Sequence, residues 1–158
     1  MTDFSSYWRD ETLHGWMQDN VRDAGSRIAL TGPHGAWTYQ ELQQRALGLA
    51  AQWRALGIGR GDVVAIQLPN VAEFLLTYLA TGYCGAVLQT LHMPYRGAEI
   101  ELLLKHSGAK AIVCLGQGKD FNPAESVLAM KPRLPKLQHV IAVGPAAAGT
   151  IAFDGNAT

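Results

Sequence analysis

Gly61-Asp62-Val63-Val64-Ala65-Ile66-Gln67-Leu68-Pro69 is the stretch that decides the fold. The run from Val63 to Leu68 is short, rich in β-branched residues and bounded by Gly61 and Pro69. It reads as a strand buried on both faces, and parallel sheets contain such strands. Asn70 is placed to cap a following helix with Glu73 three residues on, and Val71, Phe74, Leu75, Tyr78 and Leu79 give that helix an apolar stripe that Gly82 and Gly85 break.

The alternation continues downstream. Ala86 to Thr90 reads as a second strand. Ile100, Leu103 and Leu104 mark a helix ended by Ser107-Gly108, and Lys110 to Leu115 is a third strand. Asn122-Pro123-Ala124-Glu125 combines a cap residue, a proline at the first helical position and an early acid. Pro132 stops that helix, and His139 to Val143 forms a fourth strand. Strands alternating with helices at this spacing imply right-handed crossovers and an α/β fold with a doubly wound, mainly parallel sheet and flanking helices.

Upstream, Leu13, Trp16, Met17 and Val21 predict one face of a helix over residues 11–23, closed by Gly25. Ile28 to Thr31 and Ala36 to Tyr39 flank Gly32-Pro33-His34-Gly35, which predicts two short strands around a turn. Thr38 precedes Glu41 at capping-box spacing, with Trp37 and Leu42 at the hydrophobic-staple positions. The helix that starts there has the apolar face Leu42, Ala46, Leu49, Trp53 and Leu56 and ends at Gly57. The last stretch, GPAAAGTIAFDGNAT, shows no period and no closing helix or strand. Residues 1–144 are therefore expected to form the α/β unit and residues 145–158 a flexible or truncated tail, with Thr158 an interior cut.

Composition bounds the function. At 158 residues with 48% hydrophobic and 16% charged residues, the chain can bury a core. Thirteen basic and thirteen acidic residues cancel, so no overall field favours nucleic acid or an anionic membrane. Cys84 and Cys114 lie thirty positions apart inside apolar stretches, as reduced buried thiols would. The N-terminus MTDFSSYWRDE is unlike a signal peptide, and no apolar segment approaches membrane-spanning length; a soluble, cytoplasmic protein is expected.

Few residues suggest chemistry. Gly57-Ile58-Gly59-Arg60-Gly61 closes a helix and enters a strand, the reverse of a dinucleotide fingerprint. Gly116-Gln117-Gly118-Lys119 follows a strand, but Val113 and Asp120 stand where a P-loop needs Gly and Ser or Thr, so it reads as a surface loop. The five histidines, His14, His34, His92, His106 and His139, show no metal-site spacing. His92, in LHMPYR beyond the second strand's carboxyl end, sits where open α/β sheets bind ligands, yet no acid partner can be named for it. Arg96 in the same loop suits either an anionic group or a solvated position beside Glu99.

WTYQEL (residues 37–42), LGIGRGDVVAIQLPN (56–70), the helix ending in GYCGAV (82–87) and YRGAEIELLLKHSGAKAIV (95–113) together resemble the N-terminal subdomain of the adenylate-forming acyl-CoA synthetase and AMP-acid ligase superfamily. Coverage runs from about Leu30 to Val143, and Phe153-Asp154 is similar to the family's path toward its next subdomain. The resemblance implies an AMP-forming acyl-CoA synthetase as the parent enzyme. In it, a fatty or aromatic carboxylate attacks the α-phosphate of ATP with Mg²⁺, and the thiol of coenzyme A then displaces AMP. A carboxylate must be esterified first because its leaving group would otherwise be oxide. The implied partners are a small carboxylic acid and the downstream part of the same chain, with a homodimer left open.

The family's Gly/Ser/Thr-rich lysine loop lies downstream of the matched region, and nothing resembling it occurs in residues 1–158. No catalytic, cofactor-binding or metal residue is therefore assigned, and no cofactor is expected to bind the fragment tightly. Leu91-His92-Met93-Pro94 departs from the Asn-Pro pair common in relatives, which leaves the loop's shape and any acyl preference open. The alternative is a non-catalytic binding or interaction module built on the same fold. A receiver- or flavodoxin-like domain shares the layered pattern, but Pro69-Asn70 ends the best strand and no acidic cluster lies at the strand ends.

Overall fold

The computed structural model describes residues 11–33 and 35–156. The chain divides into two compact units, residues up to Gln43 and residues from Gln44 on, with the division falling inside one helix.

In the first unit, α1 (Leu13–Ala24) starts at Thr12, whose Oγ1 accepts the Gly15 N–H at 3.1 Å. Met17 is buried with Leu13 and Val21 half-buried, a stripe spaced by four, whereas Trp16 is 58% exposed. The expected face thus loses Trp16, which points about 100° away from Met17 on a helix of 3.6 residues per turn. Gly25 ends α1 as expected, but in a right-handed conformation. β1 (Ile28–Gly32) and β2 (Gly35–Thr38) form the predicted antiparallel pair, and His34 lies outside the described residues.

α2 (Tyr39–Ala55) opens with the predicted capping box: Glu41 Oε2 accepts the Thr38 N–H at 2.7 Å, and Thr38 Oγ1 accepts the Glu41 N–H at 3.2 Å. Thr38→Ala is expected to destabilise the chain by about 1 kcal/mol, because the Glu41 N–H loses the Thr38 hydroxyl that accepts it and has no intrahelical partner. A urea-unfolding comparison with Thr38→Ser, which keeps the hydroxyl, checks this. Leu42, Ala46, Leu49 and Trp53 are buried as expected, and Gly57 turns the chain with φ +78°.

The second unit is a parallel five-stranded sheet. β3 (Val63–Gln67), β4 (Val87–Thr90), β5 (Ala111–Leu115), β6 (His139–Val143) and β7 (Ile151–Ala152) lie in the order β4-β3-β5-β6-β7. α3 (Ala72–Cys84), α4 (Gly97–Ser107) and α5 (Pro123–Met130) connect them, and a 3-10 turn at Lys131–Arg133 follows α5 where Pro132 forbids its continuation.

Alternate strand residues serve the two faces. Ala65, Ile112, Cys114, Val140 and Ala142 share a buried cluster with Ile100 and Leu104 of α4 and Ala124, Val127 and Met130 of α5. Val64, Ile66, Val113 and Ile141 are buried on the opposite side. No α3 residue belongs to the α4–α5 cluster, consistent with a right-handed β3-α3-β4 crossover that turns the other way from β4-α4-β5. On α3's side, Cys84 Sγ donates to Ala50 O at 3.5 Å and Arg54 Nη2 donates to Tyr83 O, tying α2 to α3.

Three expectations are corrected. α3 begins at Ala72 with Val71 at the cap position and no side-chain cap, because the Val71 N–H turns back to Pro69 O at 2.8 Å; Asn70 does not cap it. Its buried residues include Leu76, Leu79, Ala80 and Tyr83, whereas Val71 is 37% and Tyr78 42% exposed. A helix apolar almost all round carries no unique stripe.

The third correction is the closing strand. β7 pairs with Ile141 and Ala142, the Phe153 N–H donates to Ala142 O at 2.8 Å, and Arg45 Nη1 donates to Asn156 Oδ1 at 2.6 Å. Two residues are too few to show a period, so their pairing was not legible in the sequence.

Candidate functional site

In the order β4-β3-β5, successive connections leave β3 in opposite directions, making the space beyond the carboxyl ends of β3 and β5 a topological switch point. A crevice of about 140 Å³ opens there, lined by residues that include Gln67, Met93, Arg96, Leu115, Lys119 and Phe121. On the other side of the β4–α4 loop lies a cleft of about 650 Å³, lined by residues that include Leu68, Asn70, Phe74, His92, Met93 and Tyr95. Met93 borders both. The loop is thus a wall between the two, with Arg96, Lys119 and Asp120 among the residues of the smaller crevice and Asn70, Thr90 and His92 among those of the larger cleft.

Gln67 builds that wall. Only 1% exposed at the end of β3, it donates through Nε2 to His92 O at 3.1 Å and to Tyr95 O at 3.2 Å. Two carbonyl acceptors require the NH₂ end of the amide to face them, so Oε1 is directed elsewhere. That oxygen is buried and has no hydrogen-bond partner. The apolar run from Val63 to Leu68 hides Gln67; the signal for it is a lone amide in the last position of an otherwise hydrophobic strand, close to Pro69-Asn70.

Arg96 closes the loop from outside. Its Nη1 donates to Met93 O at 2.9 Å and Tyr95 O at 3.0 Å, and its guanidinium carbon lies 4.8 Å from the centre of the Phe121 ring. Glu99 accepts the Arg96 backbone N–H at 3.1 Å, and bonds from the Glu99 and Arg96 N–H groups hold the Glu99 carboxyl below its usual range. Arg96 is exposed beside Glu99, as one of its two readings had it, and also makes these loop and ring contacts. His92 is exposed, with its ring 5.8 Å from that of Tyr95 at a 60° tilt.

The Gly116–Lys119 segment is a loop, as expected, but two of its glycines are sterically required. A Cβ on Gly116 would lie 1.7 Å from Pro145 O, and one on Gly118 would lie 2.4 Å from Phe121 O. Lys119 reaches the crevice from this loop. The thiols are free and buried, and burial pushes the Cys114 thiol up to about 12, which makes it inert as a nucleophile at neutral pH. Among the described residues, no group of three or more His, Cys, Asp and Glu side chains is placed to hold a metal ion. No described helix is long and apolar enough to cross a membrane.

At the opposite edge of the sheet, Asp62 pairs with Lys110 at 2.9 Å and accepts the Gly59 N–H at 2.9 Å, while Lys110 also donates to Gly57 O at 2.6 Å. These bonds, Lys110 first, hold the Asp62 carboxyl below its usual range. A depressed folded-state pKa contributes stability that is present above the unfolded value near about 4 and lost as pH falls through the folded value. The stability difference between the native chain and Asp62→Asn is therefore expected to shrink below about pH 4, as read from urea midpoints across pH.

The model of the AMP-binding enzyme family matches residues 17–156. The chain belongs to the AMP-binding enzyme family. Among its relatives, the vibriobactin-specific 2,3-dihydroxybenzoate-AMP ligase of Vibrio cholerae is 37% identical over 139 residues, which cover 87% of this chain and 25% of that protein. The medium-chain fatty-acid–CoA ligase of Escherichia coli is 35% identical, covering 90% of this chain and 25% of that ligase. The apo structure of MbtA from Mycobacterium smegmatis superimposes with a TM-score of 0.84 at 30% identity, over 93% of this chain and 27% of that one.

The chain thus spans about a quarter of the length of the curated relatives it matches. The family's relatives are adenylate-forming ligases, and the region matched is their N-terminal subdomain, as the resemblance implied. The parallel sheet with flanking helices is the fold of that subdomain. Flavodoxin-like proteins share the strand order, so the order alone did not decide between them.

Proposed function

We propose that this chain is the N-terminal part of an ATP-dependent acid–CoA ligase, cytoplasmic, in which a carboxylic acid is activated as an acyl adenylate and passed to coenzyme A. The observation that carries the reading is the family match across residues 17–156, on a chain whose β4–α4 and β5–α5 loops border open clefts at the sheet's carboxyl edge. Coenzyme A as acceptor is supported by the likeness to the E. coli ligase, which is named for it. The similar V. cholerae relative is named as an AMP ligase, so acceptor choice is the finer part of the proposal.

The described residues offer no metal-binding cluster, and the sequence holds no Gly/Ser/Thr-rich loop with lysine. They do not fit ATP or Mg²⁺, and no step through either is placed on them. What this chain contributes is a wall of fixed loops at the edge of the sheet, on which a site completed by other residues can be built.

The isolated chain is accordingly expected to be inactive. In an ATP–pyrophosphate exchange assay with a panel of fatty and aromatic acids, no acid-dependent exchange should exceed the no-enzyme rate. Exchange by this chain alone would overturn the proposal.

A further inference from the structure

We propose that the outer face of α4, together with residues 131–138 packed beside its carboxyl end, docks on an anionic bilayer surface: Leu102 enters the interface, and Lys105 and Lys136 meet the lipid phosphates. The inference does not depend on which acid or acceptor the parent enzyme uses.

The chain's charges cancel overall, but its lysines are not spread evenly. All five, Lys105, Lys110, Lys119, Lys131 and Lys136, lie between positions 105 and 136, and the fold gathers four of them at the sheet's amino edge. Lys105 sits in the last turn of α4. The Lys136 side chain lies along the end of that helix, with Nζ 3.2 Å from where a Cβ on Gly108 would stand. Lys131 Nζ donates to Gln138 O at 2.7 Å, and the Gln138 N–H donates to Lys110 O at 2.8 Å. Arg133 fastens the segment to α4 through two bonds to Glu101, at 2.6 and 2.8 Å. Glu101 and Asp62 are thereby matched by Arg133 and Lys110. Lys105, Lys131 and Lys136 have no carboxylate within ion-pair distance among the described residues.

Leu102 stands beside these cations. It is 68% exposed, more than any other large apolar side chain among the described residues. One exposed leucine is ordinary on a protein surface. This one shares an arc of about 100° of the helix with Lys105 and with Glu101, which carries Arg133, while Ile100 and Leu104 are buried. An apolar tip among long-stemmed cations suits a bilayer interface, where the tip leaves water and the ammonium groups stay at headgroup level. A folded acidic protein would have to supply a pocket for Leu102 as well as its carboxylates; a bilayer offers both without one. Between the end of α4 and residues 135–138 lies a polar groove of about 360 Å³, lined by residues that include Ser107, Lys136 and Gln138, with room for a headgroup. Glu99, three residues before Leu102, opposes an anionic surface and is engaged by the Arg96 N–H. Docking by this face leaves the clefts at the sheet's carboxyl edge open.

The test is co-sedimentation of this chain with vesicles of phosphatidylcholine alone and of phosphatidylcholine mixed with phosphatidylglycerol. The chain should bind the mixed vesicles, and added salt should weaken that binding by screening the exposed charges. Lys105→Gln and Lys136→Gln should each weaken it about five-fold, the equivalent of about 1 kcal/mol per lysine near a charged surface. Lys119→Gln, the same change in charge at the carboxyl edge, should leave it unaltered. Leu102→Ser should weaken it by roughly five-fold or more, because the side chain that leaves water is gone. Leu102→Trp should bind and show fluorescence quenching by brominated lipid beyond that of the native chain. Far-UV circular dichroism reports whether each variant is folded. No binding to the mixed vesicles, equal binding to phosphatidylcholine alone, or an equal loss in Lys119→Gln would overturn the docking face. Native binding by Leu102→Ser would overturn the insertion. Indifference to vesicles together with salt-sensitive retention on immobilised polyglutamate would overturn the proposal in favour of an acidic protein partner.

Discussion

Trp53→Ala is expected to cost about 3–5 kcal/mol, the largest effect of any single side-chain truncation among the described residues. Trp53 is 1% exposed and the bulkiest of the fully buried side chains among the described residues. Its removal leaves a cavity that a helix held at both ends can close only in part: α2 is capped by Thr38 and Glu41 at one end, and beyond the other the Ile58 N–H donates to Trp53 O at 2.9 Å. Domains of this size have about 5–15 kcal/mol in total, so the variant should lose much of its urea resistance, measured by far-UV circular dichroism because the fluorophore count changes. Leu47→Ala, in the same helix but at a position 41% exposed, should change stability by about 0.5 kcal/mol or less. Equal effects at the two positions would contradict the burial assignment.

Gly116→Ala is the second large effect, and it works by excess rather than loss. The added Cβ would meet Pro145 O at 1.7 Å and Pro145 C at 2.7 Å, both backbone atoms, so no side-chain rotation relieves the clash. The Gly116 N–H also donates to Val143 O at 2.9 Å, and that bond keeps the two segments from separating. A cost of about 1–3 kcal/mol or more is expected. Gly32→Ala is the control, since its Cβ would meet nothing within 4 Å and its φ is not positive. The loss at Gly116 should be accompanied by faster amide exchange around β7, whose pairing with β6 lies just past the displaced Pro145. Near-native stability of Gly116→Ala would mean that the chain after β6 is free to move away.

Much of this architecture was legible because local patterns and tertiary packing agree. The capping box at Thr38–Glu41, the strand at Val63 and the left-handed glycines Gly57 and Gly108 are properties of neighbours in sequence, and each occurs where the residues indicate. The misses share one cause. α3 is apolar around most of its circumference, so its buried side was set by the sheet it meets and not by its own periodicity. Asn70 lost the cap to a tight turn at Pro69, and β7 is recognisable only by its partner.

For the site, the chain's own order of residues carried the family and the absence from these 158 positions of the family's lysine loop. It also singled out the LHMPYR loop, because the carboxyl end of a parallel strand is a local feature of the pattern. It could not show that Gln67 holds that loop across 25 and 28 residues of sequence, that Arg96 lies over Phe121, or that Gly116 is pressed against Pro145. Those relations depend on the order of strands in the sheet, which brings distant loops to one edge. Hydrophobic periodicity and caps specify each element through its neighbours; which elements become adjacent is decided by how the whole set packs.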